Sequence, residues 1–230
     1  IKKDLENFGV QFDNWYSQKT LSQRNLVTQT LSLMKEKKVT YEKDGAVWFR
    51  SSDYGDEKDR VLIKSDNSET YLAPDIAYHK EKYTRGFTRI VNLWGPDHHG
   101  YIPRIKAAMT SLGYNADKLD VLIIQLTTLY RGTEQVKMSK RTGELVTLVD
   151  LMNEIGKDAA RFFLVSRKSD SHLDFDLELA KQQSPENPVY YVQYAHARIC
   201  SIFALAEERK IRFSCDQKNL SLLHEPEELE

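Results

Sequence analysis

The order of apolar and polar positions predicts an α/β segment in the middle of the chain. Apolar residues recur at helical spacing over residues 21–34, and two short β-hairpins are predicted to follow. From Pro74 onward, predicted helices alternate with two apolar strands, over Ile90–Trp94 and Asp120–Leu126. Pro74 suits the first position of a helix, and Gly86 suits its end. This succession predicts parallel strands covered by helices, which bind ligands beyond the carboxyl ends of the strands.

The second half of the chain is predicted to be helical. Thr147 and Asp150 have the spacing of a capping box, and Gly156 is suited to end the helix that they begin. Another helix is predicted from Asp158, and a long one from Asn187-Pro188. No strand is predicted after residue 158. The change of pattern near residue 60 separates a small accessory module from the α/β segment.

Composition narrows the class of protein. Lys and Arg number 33 against 34 Asp and Glu, so the overall charge argues neither for nor against a nucleic-acid partner. Cys200 and Cys215 form no Cys-x-x-Cys or Cys/His cluster, which favours a reducing cytoplasm. The longest aliphatic run, Val121–Ile124, is far shorter than the ~20 residues of a membrane helix. Because the chain begins at Ile1 instead of methionine, we expect a fragment of a longer protein.

A basic pentamer carries the most specific chemistry. Lys137-Met138-Ser139-Lys140-Arg141 follows a predicted strand and a polar turn, at the ligand end of the sheet. Mobile ammonium groups there would stabilise the negative charge that develops when a nucleotide α-phosphate is attacked and pyrophosphate leaves. Lys140 is the first candidate for this catalytic role, with Lys137 assisting. The alternative is a solvated basic loop.

This pentamer resembles the Lys-Met-Ser-Lys-Ser loop of class I aminoacyl-tRNA synthetases, with Arg141 where the motif usually has Ser. Three further stretches resemble arginyl-tRNA synthetases of the bacterial type: TYLAPDIAYH over 70–79, WGPDHHGY over 94–101 and ENPVYYVQYAHAR over 186–198. The resemblance covers nearly the whole chain. It implies an α/β fold, the second half of a class I synthetase Rossmann-like parallel sheet, with an accessory helix/hairpin insertion and an α-helical C-terminal segment.

The resemblance also implies an activity and a domain organisation. The activity is ATP-dependent activation of L-arginine and its transfer to tRNA(Arg), with Mg²⁺, by a cytoplasmic monomer. The implied domains are an accessory insertion over 1–60, the C-terminal half of the catalytic domain with stem-contact helices over 61–184, and the start of a truncated anticodon-binding domain over 185–230. The chain has no His-x-Gly-His element, which supplies other ATP contacts in this fold, so we expect these residues alone to be inactive.

The substrate residues follow from the same resemblance. A guanidinium substrate calls for carboxylate acceptors and a flat aromatic wall. The resemblance implies that Tyr71 lines the arginine pocket and that Asp75 accepts hydrogen bonds from the guanidinium or the α-amino group. The alternative for Asp75 is a first-turn acid that complements the helix dipole. Asp97 is expected to contact either the ATP ribose or the guanidinium.

The remaining candidates concern ATP and tRNA. The ATP set is Gly95, Asp97, His98, Met138 and Ser139. Gln193, Tyr194 and Arg198 are expected near tRNA, although a row of aromatic residues at helical spacing is equally typical of a buried helix seam. No metal site is predicted from His98-His99, because adjacent histidines seldom point the same way and no third ligand is spaced nearby. Two alternative functions stay open: an adenylyl-transferring enzyme of the same fold that does not act on tRNA, and a noncatalytic binding paralogue.

Overall fold

The computed structural model describes residues 1–136 and 146–212. Its first elements are α1 (Lys2–Asn7), α2 (Gln18–Gln23), α3 (Leu26–Glu36) and the antiparallel strands β1 (Thr40–Lys43), β2 (Ala46–Phe49) and β3 (Arg60–Ile63). The helix predicted over residues 21–34 is interrupted, because Asn25 has a φ of 53° and begins α3 afresh. The first predicted hairpin is β1 and β2. The second is reduced to β3 and a single bridge from Ile63 to Glu69.

The predicted α/β segment is present. It consists of α4 (Leu72–Thr84), β4 (Ile90–Trp94), α5 (Ile102–Leu112) and β5 (Leu119–Ile123), with a 3-10 turn over Pro96–Tyr101. Strands β4 and β5 are parallel, and Ile90 pairs with Leu119. Gly86 follows the end of α4 with a φ of 82°, as its helix-ending role requires. Pro74 was expected at the first helical position; it is the third residue of α4.

The second half contains β6 (Thr127–Arg131), β7 (Glu134–Gln135), α6 (Leu148–Ile155), α7 (Lys157–Val165), β8 (Leu173–Asp176), α8 (Leu177–Lys181) and α9 (Pro188–Glu208). The prediction of no strand after residue 158 is wrong, since β8 pairs in parallel with β6. Its alternating sequence buries Leu173 and Phe175 and leaves Asp174 exposed. The capping box of Thr147 and Asp150 is confirmed at the start of α6.

Two large hydrophobic cores hold the described residues together, beside a small cluster of Leu21, Val27, Ala73 and Ala77. The larger core joins the N-terminal elements to the α/β segment, with Met34, Phe49 and Leu62 packed in one cluster with Ile76 and Ile105. The other core surrounds β8, α7 and α8. Phe8 from the N-terminal segment packs into it, and Arg161 donates a hydrogen bond of 3.0 Å to the Phe8 carbonyl oxygen. The division into domains at residues 60 and 184 stays a prediction.

Helix α9 is the longest helix in the described ranges, and much of its apolar surface is exposed. The exposed residues include Val192, Ile199 and Ile202. These apolar side chains are therefore not covered by other parts of residues 1–136 and 146–212. None of the helices described is both long and apolar enough to span a lipid bilayer.

Candidate functional site

A cavity of about 380 Å³ lies between α4 and the carboxyl end of β4. This is the edge of the parallel strands at which the sequence predicts a ligand. The cavity is lined by Tyr71, Asp75, Tyr78, His79, Lys82, Trp94, His98 and Tyr101. Four of these side chains come from one face of α4, because positions 75, 78, 79 and 82 are spaced by three and four residues. The cavity combines aromatic walls with one carboxylate and one ammonium, and its volume suits a molecule the size of an amino acid.

Tyr71 and Asp75 lie one helical turn apart at the start of α4. Tyr71 is the residue before the helix, and its side chain is 90% exposed at the mouth of the cavity. The Asp75 side chain is partly buried, and this burial raises the pKa of its carboxyl group, against the opposing influence of Tyr101, Lys82 and His98. In the described residues the Asp75 carboxylate forms no ion pair within 4.0 Å. Its charge is thus incompletely compensated by the described residues.

Tyr101 faces Asp75 across the cavity. Burial, followed by the nearby Asp75 charge, raises the pKa of the Tyr101 hydroxyl far above its ordinary value, so the phenol stays protonated. This buried hydroxyl interacts with the Asp75 carboxylate, although the pair does not reach good hydrogen-bond geometry in the described residues. A buried donor that is only weakly bonded can form a better hydrogen bond to a ligand that reaches the Asp75 carboxylate.

The turn after β4 brings the next candidates to the same edge. An added Cβ at Gly95 would lie 2.8 Å from Asp97 Oδ1, so a larger residue there would displace the Asp97 side chain, while the φ of −70° at Gly95 is open to any residue. The Asp97 side chain is 79% exposed, and its Oδ2 lies 3.6 Å from His98 Nε2. The His98 ring packs near the Trp94 ring and lines the cavity. Tyr71, Asp75 and His98 therefore share one cavity, while Gly95 and Asp97 lie beside it on the rim.

The remaining candidates lie elsewhere. Lys137, Met138, Ser139 and Lys140 fall outside the described residues, so the position of the basic loop relative to the cavity stays a prediction. Tyr194 and Arg198 are exposed on α9, and the rings of Tyr190 and Tyr194 stack at 6.5 Å. Gln193, also on α9, borders a separate cavity of about 430 Å³ next to α6, α7 and α8. Among the described residues, Tyr194 and Arg198 therefore lie on an exposed surface of α9 and not in a buried helix seam.

Sequence reasoning missed several residues that line the cavity. They are Tyr78, His79, Lys82, Trp94 and Tyr101. The helical spacing from Asp75 would have identified the three that lie on α4. The spacing along the chain could not place Tyr101 near Asp75, because their proximity depends on the packing of α5 against α4.

Comparison with known proteins identifies the family. The family model described as tRNA synthetases class I (R), catalytic domain, matches residues 5–199. The chain belongs to this family. The arginine–tRNA ligase 1 of Halalkalibacterium halodurans is 60% identical over 93% of the chain, and the arginine–tRNA ligase of Geobacillus kaustophilus is 54% identical over all of it. The chain spans 38% and 41% of these two relatives, respectively.

Solved structures agree with this family. A Campylobacter jejuni chain assigned as an arginyl-tRNA synthetase has a TM-score of 0.83 and 41% identity, covering 96% of this chain and 50% of its own length. The Thermus thermophilus arginyl-tRNA synthetase has a TM-score of 0.78 at 20% identity, covering 99% and 47%, which bears on the fold alone. The resemblance to arginyl-tRNA synthetases is confirmed. The mixed α/β fold, with parallel strand pairs and a helical C-terminal segment, is confirmed as well.

Proposed function

We propose that this chain is part of an arginine–tRNA ligase, which activates L-arginine with ATP and transfers it to tRNA(Arg). The observation that carries the proposal is the cavity at the end of β4, which Tyr71 and the partly buried Asp75 line together, and in which Asp75 has no ion-pair partner among residues 1–136 and 146–212. Membership of the synthetase family supports the reaction class. The names of the relatives support arginine as the amino acid.

The cavity suits the cationic groups of arginine. The guanidinium is planar and presents five N–H donors, so it can bind a carboxylate in bidentate fashion and stack on an aromatic ring. Asp75 would accept hydrogen bonds from the guanidinium or the α-amino group, and the Tyr71 ring would cover the bound side chain. Binding would compensate the Asp75 charge in a partly desolvated place, where a charge-assisted hydrogen bond is stronger than in water.

ATP would bind along the rim of the same edge. Gly95 allows close approach of the backbone, and Asp97 and His98 provide polar groups for the ribose; Asp97 could instead reach the guanidinium. In the reaction, the arginine carboxylate attacks the α-phosphorus of ATP, pyrophosphate leaves, and the terminal ribose of the tRNA then displaces AMP from the arginyl adenylate. Lys137 and Lys140, with Met138 and Ser139 in the same loop, would stabilise the departing pyrophosphate.

Magnesium would be held mainly by the nucleotide. In residues 1–136 and 146–212, no three His, Cys, Asp or Glu side chains are grouped so that they could hold a metal ion. This fits Mg²⁺, which commonly binds through substrate phosphates with few protein ligands. When bound, the ion would neutralise phosphate charge as pyrophosphate forms.

The surface of α9 would contact the tRNA. Gln193, Tyr194 and Arg198 lie on this helix, and all three are exposed where a base could stack or a phosphate could pair. Arg198 provides a cation that stays charged at any physiological pH. We further propose that the protein works in the cytoplasm as a monomer, as the resemblance implies.

Arginine-dependent ATP–pyrophosphate exchange tests this function. The assay uses the native protein that contains these residues, with tRNA present, because members of this family are expected to need tRNA for activation. We expect exchange with arginine, none above background with lysine, and arginylation of tRNA(Arg). Exchange without any arginylation would favour an adenylyl-transferring enzyme that does not act on tRNA. Arginine binding without exchange would favour a noncatalytic paralogue, and either result would overturn the proposal.

A further inference from the structure

Three polar side chains form a hydrogen-bonded chain beneath the substrate cavity. His79 and Asn92 are almost fully buried, and Lys82 lies between them and the cavity. Lys82 Nζ donates to Asn92 Oδ1 at 2.8 Å, and Asn92 Nδ2 lies 2.8 Å from His79 Nε2. The hydrogen-bonded chain ends at Asp75, the residue proposed to bind the substrate, because His79 Nδ1 lies 2.8 Å from the Asp75 backbone carbonyl oxygen.

The direction of every hydrogen bond in this chain is determined. An ammonium group can only donate, so the oxygen of Asn92 faces Lys82 and its amide nitrogen donates to His79. His79 must therefore accept at Nε2 and carry its proton at Nδ1, from which it donates to Asp75. Burial, followed by the nearby Lys82 charge, lowers the pKa of His79 to about 4, so its ring stays neutral and the chain stays intact at physiological pH.

This arrangement fixes the Lys82 ammonium beside the cavity. Its nitrogen bonds to the buried Asn92 and lies 4.4 Å above the centre of the Tyr78 ring, which is another wall of the cavity. A lysine at a protein surface can turn toward water when a second cation approaches. Because Lys82 is tied to a buried amide, the main way to relieve such repulsion is to lose its proton.

Several charged and titratable groups surround Lys82. They are Asp75, His79 and Glu81 on α4, Arg85 immediately after it, and His98 and Tyr101 on the other side of the cavity. Burial, together with Arg85, lowers the pKa of Lys82 to about 8, although Asp75 and Glu81 act in the opposite direction. The ammonium is therefore mostly charged at pH 7, and it can lose its proton at a small further cost.

We propose that Lys82 competes with the cationic substrate for Asp75, so that arginine binding is coupled to release of the Lys82 proton. Within the described residues that line the cavity, Asp75 is the carboxylate that both cations face. Neutral Lys82 can still donate a hydrogen bond to Asn92, so the chain that supports Asp75 survives the loss of the proton. This inference rests on the proposed function, since it takes arginine as the ligand.

The test is the pH dependence of the arginine KM in ATP–pyrophosphate exchange, measured on the native protein from pH 6.5 to 8.5. The wild-type KM should fall about fivefold over this range, the result expected if bound arginine lowers the Lys82 pKa by about one. The variants are Lys82→Arg, which stays charged throughout, and Lys82→Met, which is never charged. Both should give a KM that is nearly independent of pH.

Calorimetry supplies a second measurement. Arginine binding at pH 7.5, in two buffers of different ionisation enthalpy, should release about half a proton from the wild type and almost none from Lys82→Arg. If wild-type exchange is normal but its KM does not vary with pH, the inference is wrong while the proposed function stands. A pH dependence that persists in both variants would assign the titration to another group, such as His98, and would also overturn the inference. A wild type without arginine-dependent exchange would overturn the function itself.

Discussion

Two carboxylates in this molecule have pKa values shifted in opposite directions, and their surroundings explain why. Glu154 on α6 receives hydrogen bonds from Arg131 on β6, and the ammonium of Lys181 on α8 lies 2.7 Å from its Oε1. The hydrogen bonds from Arg131 and then from Lys181 lower the Glu154 pKa to about 2. Burial instead raises the pKa of Asp75, to which no cation in the described part of the chain is bound.

The difference separates a structural charge from a binding charge. The Glu154 charge is satisfied within the protein, where it links three elements around the second core. The Asp75 charge lies in a partly buried cavity, where the loss of contact with water destabilises the ionised form by more than the nearby Tyr101 hydroxyl stabilises it. A site that must bind a cation is expected to show this incomplete compensation, because a carboxylate already paired with arginine would gain little from a ligand.

The largest expected effect comes from removing the binding charge. Asp75→Asn should lower kcat/KM for arginine at least about 100-fold, because a desolvated charge-assisted hydrogen bond to the substrate is lost. Since the Asp75 pKa is raised, the folded protein disfavours the ionised form, and the variant should unfold at the same or a slightly higher temperature. The measurement is exchange kinetics together with thermal unfolding. Loss of activity accompanied by a large loss of stability would mean that Asp75 is structural.

The next effect concerns the basic loop, which lies outside the described residues. Lys140→Ala should slow formation of the adenylate by roughly 100-fold while changing arginine affinity little, because its ammonium acts on charge that develops in the transition state. Single-turnover kinetics and arginine binding, measured on the same preparation, separate these two quantities. Weak arginine binding with normal chemistry would contradict the role given to Lys140.

Removing the structural charge should give the reverse pattern. Glu154→Gln should lower the free energy of unfolding by about 1–2 kcal/mol, less than for a fully buried ion pair because the network is partly exposed. Arginine kinetics should stay at the wild-type value, which makes this variant the matched control for Asp75→Asn. Urea unfolding at pH 7 measures the change. If Glu154→Gln changed the arginine KM as much as Asp75→Asn does, the two carboxylates would not have the different roles proposed here.

The lowered pKa of Glu154 also predicts how the stability of this variant depends on pH. Because the folded pKa of Glu154 is lower than the ordinary value of 4.5, its stabilising contribution is complete above pH 4.5 and is lost as the pH falls toward about 2. The gap in stability between wild type and Glu154→Gln should therefore be smaller at pH 3 than at pH 7. A gap that stayed constant would assign the stabilisation to something other than charge.

The two carboxylates also show how far the sequence could be interpreted. The helix that carries Asp75, and the strand and turn that lie beside it, follow local sequence patterns. The helix is ended by Gly86, and the apolar strand ends at Trp94 and is followed by a glycine. Their positions were predicted nearly to the residue. Asp75 itself, however, could equally be a first-turn acid from the sequence, and it is the burial of its side chain in a cavity that favours the binding role.

The surroundings of Glu154 depend on contacts between distant parts of the chain. Arg131 ends β6, and β6 pairs with β8 across about 45 residues of sequence. Strand β8 has only four residues, too few for a clear period-2 signal, and it lies in a segment with helical neighbours on both sides. The Lys82–Asn92–His79 chain was missed for the same reason. Asn92 lies in an apolar strand, and its two partners come from helix α4, whose packing on the strand the sequence does not show.

The smallest expected effect lies on α9, where exposed groups make the weakest contacts. Arg198→Ala should raise the KM for tRNA about fivefold and leave the arginine KM unchanged, because one exposed phosphate contact is lost while the cavity at β4 is unaffected. The dependence of tRNA affinity on salt concentration should also become less steep. Equal changes in the two KM values would indicate instead that α9 influences the arginine site, and an unchanged KM for tRNA would remove Arg198 from the tRNA surface.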